Sequence, residues 1–366
     1  MSRFKIIILG KIPPPFFGTS VWFDILRNSS LNDSFNINWF NVNVHKDFSN
    51  LGKGNYVNII PNIRLYFRFK KILWRFKPEL VLIPISQSTP GFLKDSIFIR
   101  LARKRAKTLI ILHGSNINTW LGNSHGLIKK YFTDTLKGTE GAIVLGRKLK
   151  YLFLPWYSDG KIHVISNGIT MKKLVPLTRT SSEIIIRYIG SLSFNKGVFE
   201  TIESIKLLKD SICNFKMVLN GKWRDIEFQT RCTNIIERYE LPVFYEGEVT
   251  GDDKFNAYST SDIFVFTPIK PEGFPMIIIE AMSFGLPIIS TDQGAITEAV
   301  LDGVNGFIVK AGSAKEIAQK LKYLIENPTE RLNMGKESLK LYQENFTEEK
   351  MIKNYTEVFN KILALN

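Results

Sequence analysis

A chain of 366 residues that is 44% apolar and 23% charged has room for two ordinary domains and too much apolar content for extended disorder. Its two cysteines, Cys213 and Cys232, exclude a disulfide framework and point to a reducing, cytoplasmic setting. The net charge of +15 is unevenly held: residues 1–180 carry 28 Lys and Arg against 8 Asp and Glu, and residues 181–366 carry 21 against 26, so the first half is expected to face something anionic.

In chain order, the apolar run Phe4–Leu9 ends at Gly10 and predicts a buried first strand, too short to be a signal-peptide core. A loop follows through Pro13, Pro14, Pro15, Phe16, Phe17 and Gly18, where Gly18 permits close backbone approach to a ligand or simply makes a tight turn. Residues 63–77, IRLYFRFKKILWRFK, carry Arg64, Arg68, Lys70, Lys71, Arg75 and Lys77 without an acid. Leu65, Phe69, Ile72, Leu73 and Phe76 fall broadly on one helical face, which Tyr66, Phe67 and Trp74 widen. Such a helix suits an anionic membrane surface, and it also suits ordinary packing on a sheet with a solvated basic face. A second basic run, Arg100, Arg103, Lys104, Arg105 and Lys107, would extend the patch. Nucleic acid is the rival anion, but no helix-turn-helix, zinc or RNP-type segment is present.

Leu80–Pro84, Thr108–Leu112, Gly141–Leu145 and His163–Ile165 read as further strands, with His113 directly after the third of the half's five. The polar stretch 167–179, with Pro176, is the expected boundary, and it coincides with the change in charge. Beyond it Ile184–Gly190, Lys216–Gly221, Val243–Tyr245, Ile263–Thr267 and Pro287–Ser290 read as strands, with helical patterns at Val198–Leu208 and Met276–Phe284. Asp252 and Asp253 are expected in a loop without the context of a metal-binding Asp-x-Asp segment. Thr347–Asn366 has apolar Met351, Tyr355, Val358, Phe359, Ile362 and Leu363 at helical spacing. No run of 18 apolar residues predicts a membrane span. Strands alternating with helices imply parallel sheets, and two such blocks imply two Rossmann-like domains with a cleft between them.

The strand at 263–267 leads through Pro271-Glu272-Gly273-Phe274-Pro275 into the helix at Met276. Pro275 fits a helix start, where its missing N–H costs nothing. The N–H groups of the first turn and the helix dipole make an anion site suited to a nucleotide diphosphate. Glu280, one turn further on, can accept two hydrogen bonds from a ribose diol, and Glu272 can accept them from sugar hydroxyls. A capped helix with a favourably placed carboxylate is the plainer reading of the spacing alone.

The segment PEGFPMIIIEAMSFGLPIISTDQGAITEAVLDGVNGFIV, Pro271–Val309, resembles the large retaining GT-B glycosyltransferase family four, the glycosyl transferases group 1 type. Tyr188–Leu208, the residues before the glutamate pair, and the Asn167-Gly168 turn resemble it as well. The resemblance is strong over roughly residues 160–325 and sparse before them. It implies an α/β GT-B fold of two Rossmann-like domains facing a cleft: residues 1–170 for the acceptor and membrane side, 171–346 for the nucleotide sugar, and 347–366 as a helix crossing back to the first domain. It implies a donor site in which Glu280 holds the ribose and Glu272 the sugar. Gly273, Phe274, Pro275, Met276 and Ile277 surround the phosphates, and Lys196 neutralises the leaving diphosphate. His113 would contact the donor sugar near the reacting carbon, and Gly18 would approach the diphosphate or sugar. Many relatives place an Arg where Ser191 stands, so one of the two usual cations is missing; Arg187 or Arg224 could supply it, or Lys196 acts with the helix dipole alone.

The expected activity is retaining, metal-independent transfer of a hexose or N-acetylhexosamine from a nucleotide-diphosphate sugar, without a cofactor. The acceptor would be a lipid-linked glycan in surface polysaccharide or lipopolysaccharide synthesis, reached at the inner face of the membrane. Another GT-B activity such as nucleotide-sugar epimerisation, or a non-catalytic sugar- or lipid-binding paralogue, is the alternative.

Overall fold

The computed structural model describes residues 3–14, 16–43, 59–170, 183–212 and 214–364. Pro15, Cys213 and the part of the expected boundary at 171–179, with Pro176, lie outside the described residues. The chain divides into two compact units, the first made of Met1–Asn167 and Glu348–Asn366, the second of Gly168–Thr347.

Unit 1 holds strands β1 (Lys5–Gly10), β2 (Asn36–Asn41), β3 (Leu80–Pro84), β4 (Lys107–Leu112), β5 (Gly141–Val144) and β6 (Ile162–Val164). They form one parallel sheet in the order β2-β1-β3-β4-β5-β6. Its helices are α1 (Gly18–Arg27), α2 (Leu31–Ser34), α3 (Ile59–Phe76), α4 (Thr89–Ala102), α5 (Ile117–Gly122) and α6 (Gly126–Leu136). The interior strands are continuous apolar runs because helices cover both faces of a parallel sheet; Ile6, Ile7, Ile8, Val81, Leu82 and Ile110 are all buried. Edge strand β2, NINWFN, alternates polar and apolar residues with only Phe40 fully buried, and it was not among the expected strands.

Unit 2 begins with β7 (Ile184–Ile189), and then places α7 (Val198–Leu208), β8 (Phe215–Asn220), α8 (Ile226–Arg238), β9 (Val243–Gly247) and α9 (Gly251–Ser259). It continues through β10 (Ile263–Phe266), α10 (Met276–Ser283), β11 (Ile288–Thr291), β12 (Gly306–Val309), α11 (Ala314–Glu326) and α12 (Pro328–Asn345). The sheet is again parallel, in the order β12-β11-β10-β7-β8-β9. Asp252 and Asp253 sit in the first turn of α9, not in a loop; carboxylates are favoured at that positive helix end.

The last helix, α13 (Glu348–Ala364), belongs to unit 1. Met351, Ile352, Tyr355, Phe359, Ile362 and Leu363 form its buried face, while Val358, expected on that face, is half-buried. The Tyr355 hydroxyl accepts the Trp22 indole N–H at 2.9 Å, Phe359 meets Phe35 edge-on at 5.7 Å, and the Lys107 ammonium donates to the Ile362 carbonyl at 2.9 Å.

Candidate active site

In an open parallel sheet, ligands bind beyond the carboxyl ends of the strands where the order of connection reverses. In unit 2 that point lies between β7 and β10, since the chain runs outward through β8 and β9 and returns to the other side of β7. The two loops leaving these strands carry Ser191 and Lys196 on one side and Glu272–Pro275 on the other. They are tied together by backbone: the Asn195 carbonyl accepts the Ile269 N–H at 3.0 Å and the Lys270 N–H at 3.3 Å. Gly197 has φ of +72°, and a Cβ there would sit 1.9 Å from the Thr267 carbonyl oxygen, so only glycine lets α7 start this close to the β10 loop. On its far side the Glu272 loop is held by the Ala295 N–H, which donates to the Gly273 carbonyl at 2.9 Å.

The result is direct contact between Lys196 and Glu272, which form an ion pair with side chains 29% and 16% exposed. The buried Tyr188 hydroxyl donates to the Lys196 carbonyl at 3.3 Å, and burial, then the nearby Glu272 charge, push that phenol well above its ordinary pKa. It therefore stays a neutral donor. Pro275 caps α10, and the Ile278 N–H closes the first turn on the Pro275 carbonyl at 3.2 Å. Met276 and Ile277 thus stand at the positive end of a helix that starts beside Glu272.

Glu280 is not isolated on its helix. The Lys254 ammonium reaches its carboxylate at 2.6 Å, and the Tyr258 hydroxyl donates to the same group at 2.8 Å. Both partners come from α9 and escaped the sequence reading. Their spacing of four residues puts them on one helical face, but no local signal says that this face meets Glu280. Arg224 sits against Ser191, its Nε donating to the Ser191 hydroxyl at 2.8 Å. Arg187 does not serve as a second phosphate cation. It is 3% exposed within β7 and donates to Asn220 at 2.8 Å, Glu246 at 2.9 Å, Ser261 at 3.1 Å and Thr260 at 3.3 Å. A buried guanidinium needs such partners to offset its lost hydration.

Unit 1 reverses between β1 and β3. A cavity of about 230 Å³ opens there over the ends of β1, β3 and β4, and His113 lines it together with Trp22, whose ring lies 4.5 Å from the imidazole. Burial lowers the His113 pKa to about 3, and its Nε2 is buried without a hydrogen-bond partner among the described residues. The ring is therefore neutral at ordinary pH. Gly18 opens α1, with open space around it.

The basic helix α3 starts at Ile59, four residues before its expected start, and stops at Phe76, so Lys77 lies just past its end. Arg64, Arg68, Lys70, Lys71, Arg75 and Lys77 are all exposed, over buried Leu65, Phe69 and Leu73. Phe67 and Trp74 do not widen the buried face; they point outward, 68% and 65% exposed. With Lys70 and Lys71 they form an i, i+3, i+4, i+7 stripe that borders Leu101, Lys104 and Arg105 along one groove. Arg68 is partly spent on the Asn41 carbonyl, 2.6 Å away. Arg100 and Arg103 are turned from the patch to bind Thr135 and the carbonyls at the end of α6. Among the described residues no helix is long and apolar enough to cross a membrane, and no three His, Cys, Asp or Glu gather as metal ligands.

Residues 173–341 match the family model described as Glycosyl transferases group 1. The chain is 24% identical to an uncharacterized glycosyltransferase of Methanocaldococcus jannaschii, over 99% of this chain and 100% of that one. It is 28% identical to N,N'-diacetylbacillosaminyl-diphospho-undecaprenol alpha-1,3-N-acetylgalactosaminyltransferase of Campylobacter jejuni, over 56% of each. The fold is similar to a glycosyltransferase of Rickettsia africae ESF-5, with a TM-score of 0.77 at 20% identity across all of both chains. Two six-stranded parallel sheets with this likeness establish the GT-B architecture.

Proposed function

We propose that this chain, whose residues 173–341 belong to the glycosyl transferases group 1 family, transfers a hexose or N-acetylhexosamine from a nucleotide-diphosphate sugar to a glycan acceptor with retention at the anomeric carbon. The observation that carries the reading is the Lys196–Glu272 contact at the reversal point of unit 2, beside the amino end of α10. A diphosphate lying on that helix end would draw the Lys196 ammonium to itself and release Glu272 to accept hydrogen bonds from the donor sugar. Glu280, oriented by Lys254 and Tyr258, would receive the ribose hydroxyls.

In the transfer step the bond between the anomeric carbon and the diphosphate oxygen breaks. The acceptor oxygen bonds to that carbon on the same face, and its proton passes to the departing phosphate. Charge grows on the diphosphate, so groups fixed around it lower the barrier. Lys196 and the α10 end are two such groups. Arg224, already beside Ser191, stands in for the cation that Ser191 does not provide, which weakens the case for a non-catalytic paralogue. With these side-chain and backbone charges the chemistry would not need a metal ion.

The acceptor would be lipid-linked, as the name of the Campylobacter relative says of that enzyme's own, and the exposed stripe on α3 would hold the protein to an anionic membrane face. Nucleotide sugars carrying UDP, GDP, ADP and dTDP, screened by thermal stabilisation, identify the donor. Glu272→Ala and Lys196→Ala should keep the fold and lower kcat by about 10²- to 10³-fold each. A product of inverted configuration, or donor epimerised without any acceptor, overturns the reading.

A further inference from the structure

Glu280 is held from α9 by two partners of unequal freedom. Tyr258 is buried, 1% exposed. Its ring stacks on Phe284 with centroids 5.6 Å apart and tilts against Phe264 at the same distance. Its hydroxyl donates to one Glu280 oxygen at 2.8 Å. Burial, then the Glu280 charge, hold this phenol well above its ordinary pKa, so it keeps the proton it donates. Lys254 stands one turn earlier, with its side chain 27% exposed on a flexible four-carbon stem. Its ammonium straddles the carboxylate, 2.7 Å from Oε1 and 2.6 Å from Oε2.

The acceptor count limits what else Glu280 can take. A carboxylate offers about four acceptor positions. The ammonium occupies one on each oxygen and Tyr258 one more on Oε2. A vicinal diol brings two O–H donors, which is more than the remainder holds. One partner must therefore yield, and the packing around Tyr258 selects Lys254. A hydroxyl that has given its proton to Glu280 still has lone pairs to offer. The ammonium, swinging off one carboxylate oxygen on its flexible stem, meets those lone pairs beside Glu280. Each hydroxyl would then be a donor on one side and an acceptor on the other, in bonds that are charge-assisted at both ends.

We propose that Lys254 is a specificity-determining residue of the donor site, which reads the ribose diol from the side opposite Glu280. The proposal rests on the reading of Glu280 as the ribose carboxylate. It adds that a nucleotide lacking one of the hydroxyls forfeits a bond to each charged group and leaves both short of a partner.

The test is calorimetric titration of the full chain with UDP, GDP and ADP, then with the 2′-deoxy and 3′-deoxy forms of whichever binds tightest. The wild type should bind at least one deoxy form at least about tenfold more weakly than the ribonucleotide. In Lys254→Met that ratio should fall at least about threefold. Loss of support for Glu280 could lower the ratio as well, so the deciding comparison is made without that carboxylate. Glu280→Ala should retain at least about a threefold preference for the ribonucleotide, and Glu280→Ala/Lys254→Met should have none. Melting temperatures establish that each variant is folded, and Lys254→Ala replaces Lys254→Met if the latter is not. Equal ratios in Glu280→Ala and the double variant, or a wild type that binds ribo and deoxy forms alike, overturn the role of Lys254 while leaving the donor reading in place. Failure of all three nucleoside diphosphates to bind overturns both.

Discussion

His113 is the residue whose chemistry burial changes most visibly. Its pKa falls to about 3 from 6.5 because the charged ring would lose its hydration beside Trp22. A group whose folded pKa is depressed contributes stability that is present above the unfolded value and is lost as pH falls toward the folded one. The window here is pH 6.5 down to about 3, and the contribution is at most roughly 5 kcal/mol. His113→Asn should therefore show a shallower fall in melting temperature than the wild type between pH 6.5 and 4; parallel curves would contradict the assignment. His113 could be placed from sequence because it ends an apolar run, and strand ends in parallel sheets face ligand sites. Arg187 could not. Its position near a strand end suggested a free cation, but whether a strand arginine points to a ligand or into a buried network depends on partners such as Asn220 and Glu246, up to 59 residues away.

At the level of elements, every interior strand announced itself, while of the four edge strands β6 and β9 did and β2 and β12 did not. LVLIP and IFVF are uninterrupted because both faces are covered, whereas the edge strand β2 mixes polar and apolar residues and β12 offers only the three apolar residues that follow Gly306. The loops of the candidate donor site were legible for a different reason. Gly197 and Pro275 mark where a helix can begin against a neighbouring loop, and their chemistry is local. The supporting pair Lys254 and Tyr258 was hidden, since only the tertiary fold brings α9 to α10. On α3, helical periodicity fixed the buried residues but misplaced Phe67 and Trp74, which lie beyond the width of the apolar stripe. Those two rings with Lys70 and Lys71 carry a direct expectation. Co-sedimentation with vesicles containing anionic phospholipid should fall at least about fivefold in Phe67→Ser/Trp74→Ser, and Lys70→Glu/Lys71→Glu should also remove the dependence on anionic lipid. Unchanged binding by both would remove α3 as the membrane contact.

For the whole molecule, the division of the chain matters as much as the division of charge. Unit 2 is one continuous segment, but unit 1 is completed by α13, whose Tyr355 and Phe359 close over Trp22 and Phe35. Removing residues 348–366 should expose that apolar face. Unit 1 should then lose its cooperative melting transition, while nucleotide sugars continue to stabilise unit 2. A truncated chain with both transitions intact would show α13 to be dispensable.

The same arrangement has a consequence for biosynthesis. At about 5–20 residues per second, the ribosome needs roughly 10–40 s to make the roughly 180 residues of Gly168–Thr347 that separate the two parts of unit 1. During that interval the nascent first half carries an unsealed apolar surface and the excess of positive charge noted at the outset. Unit 2 can finish folding before its neighbour in sequence does. The chain's earliest-made half is its last to mature, and chaperones and anionic surfaces would meet it first in that unfinished form.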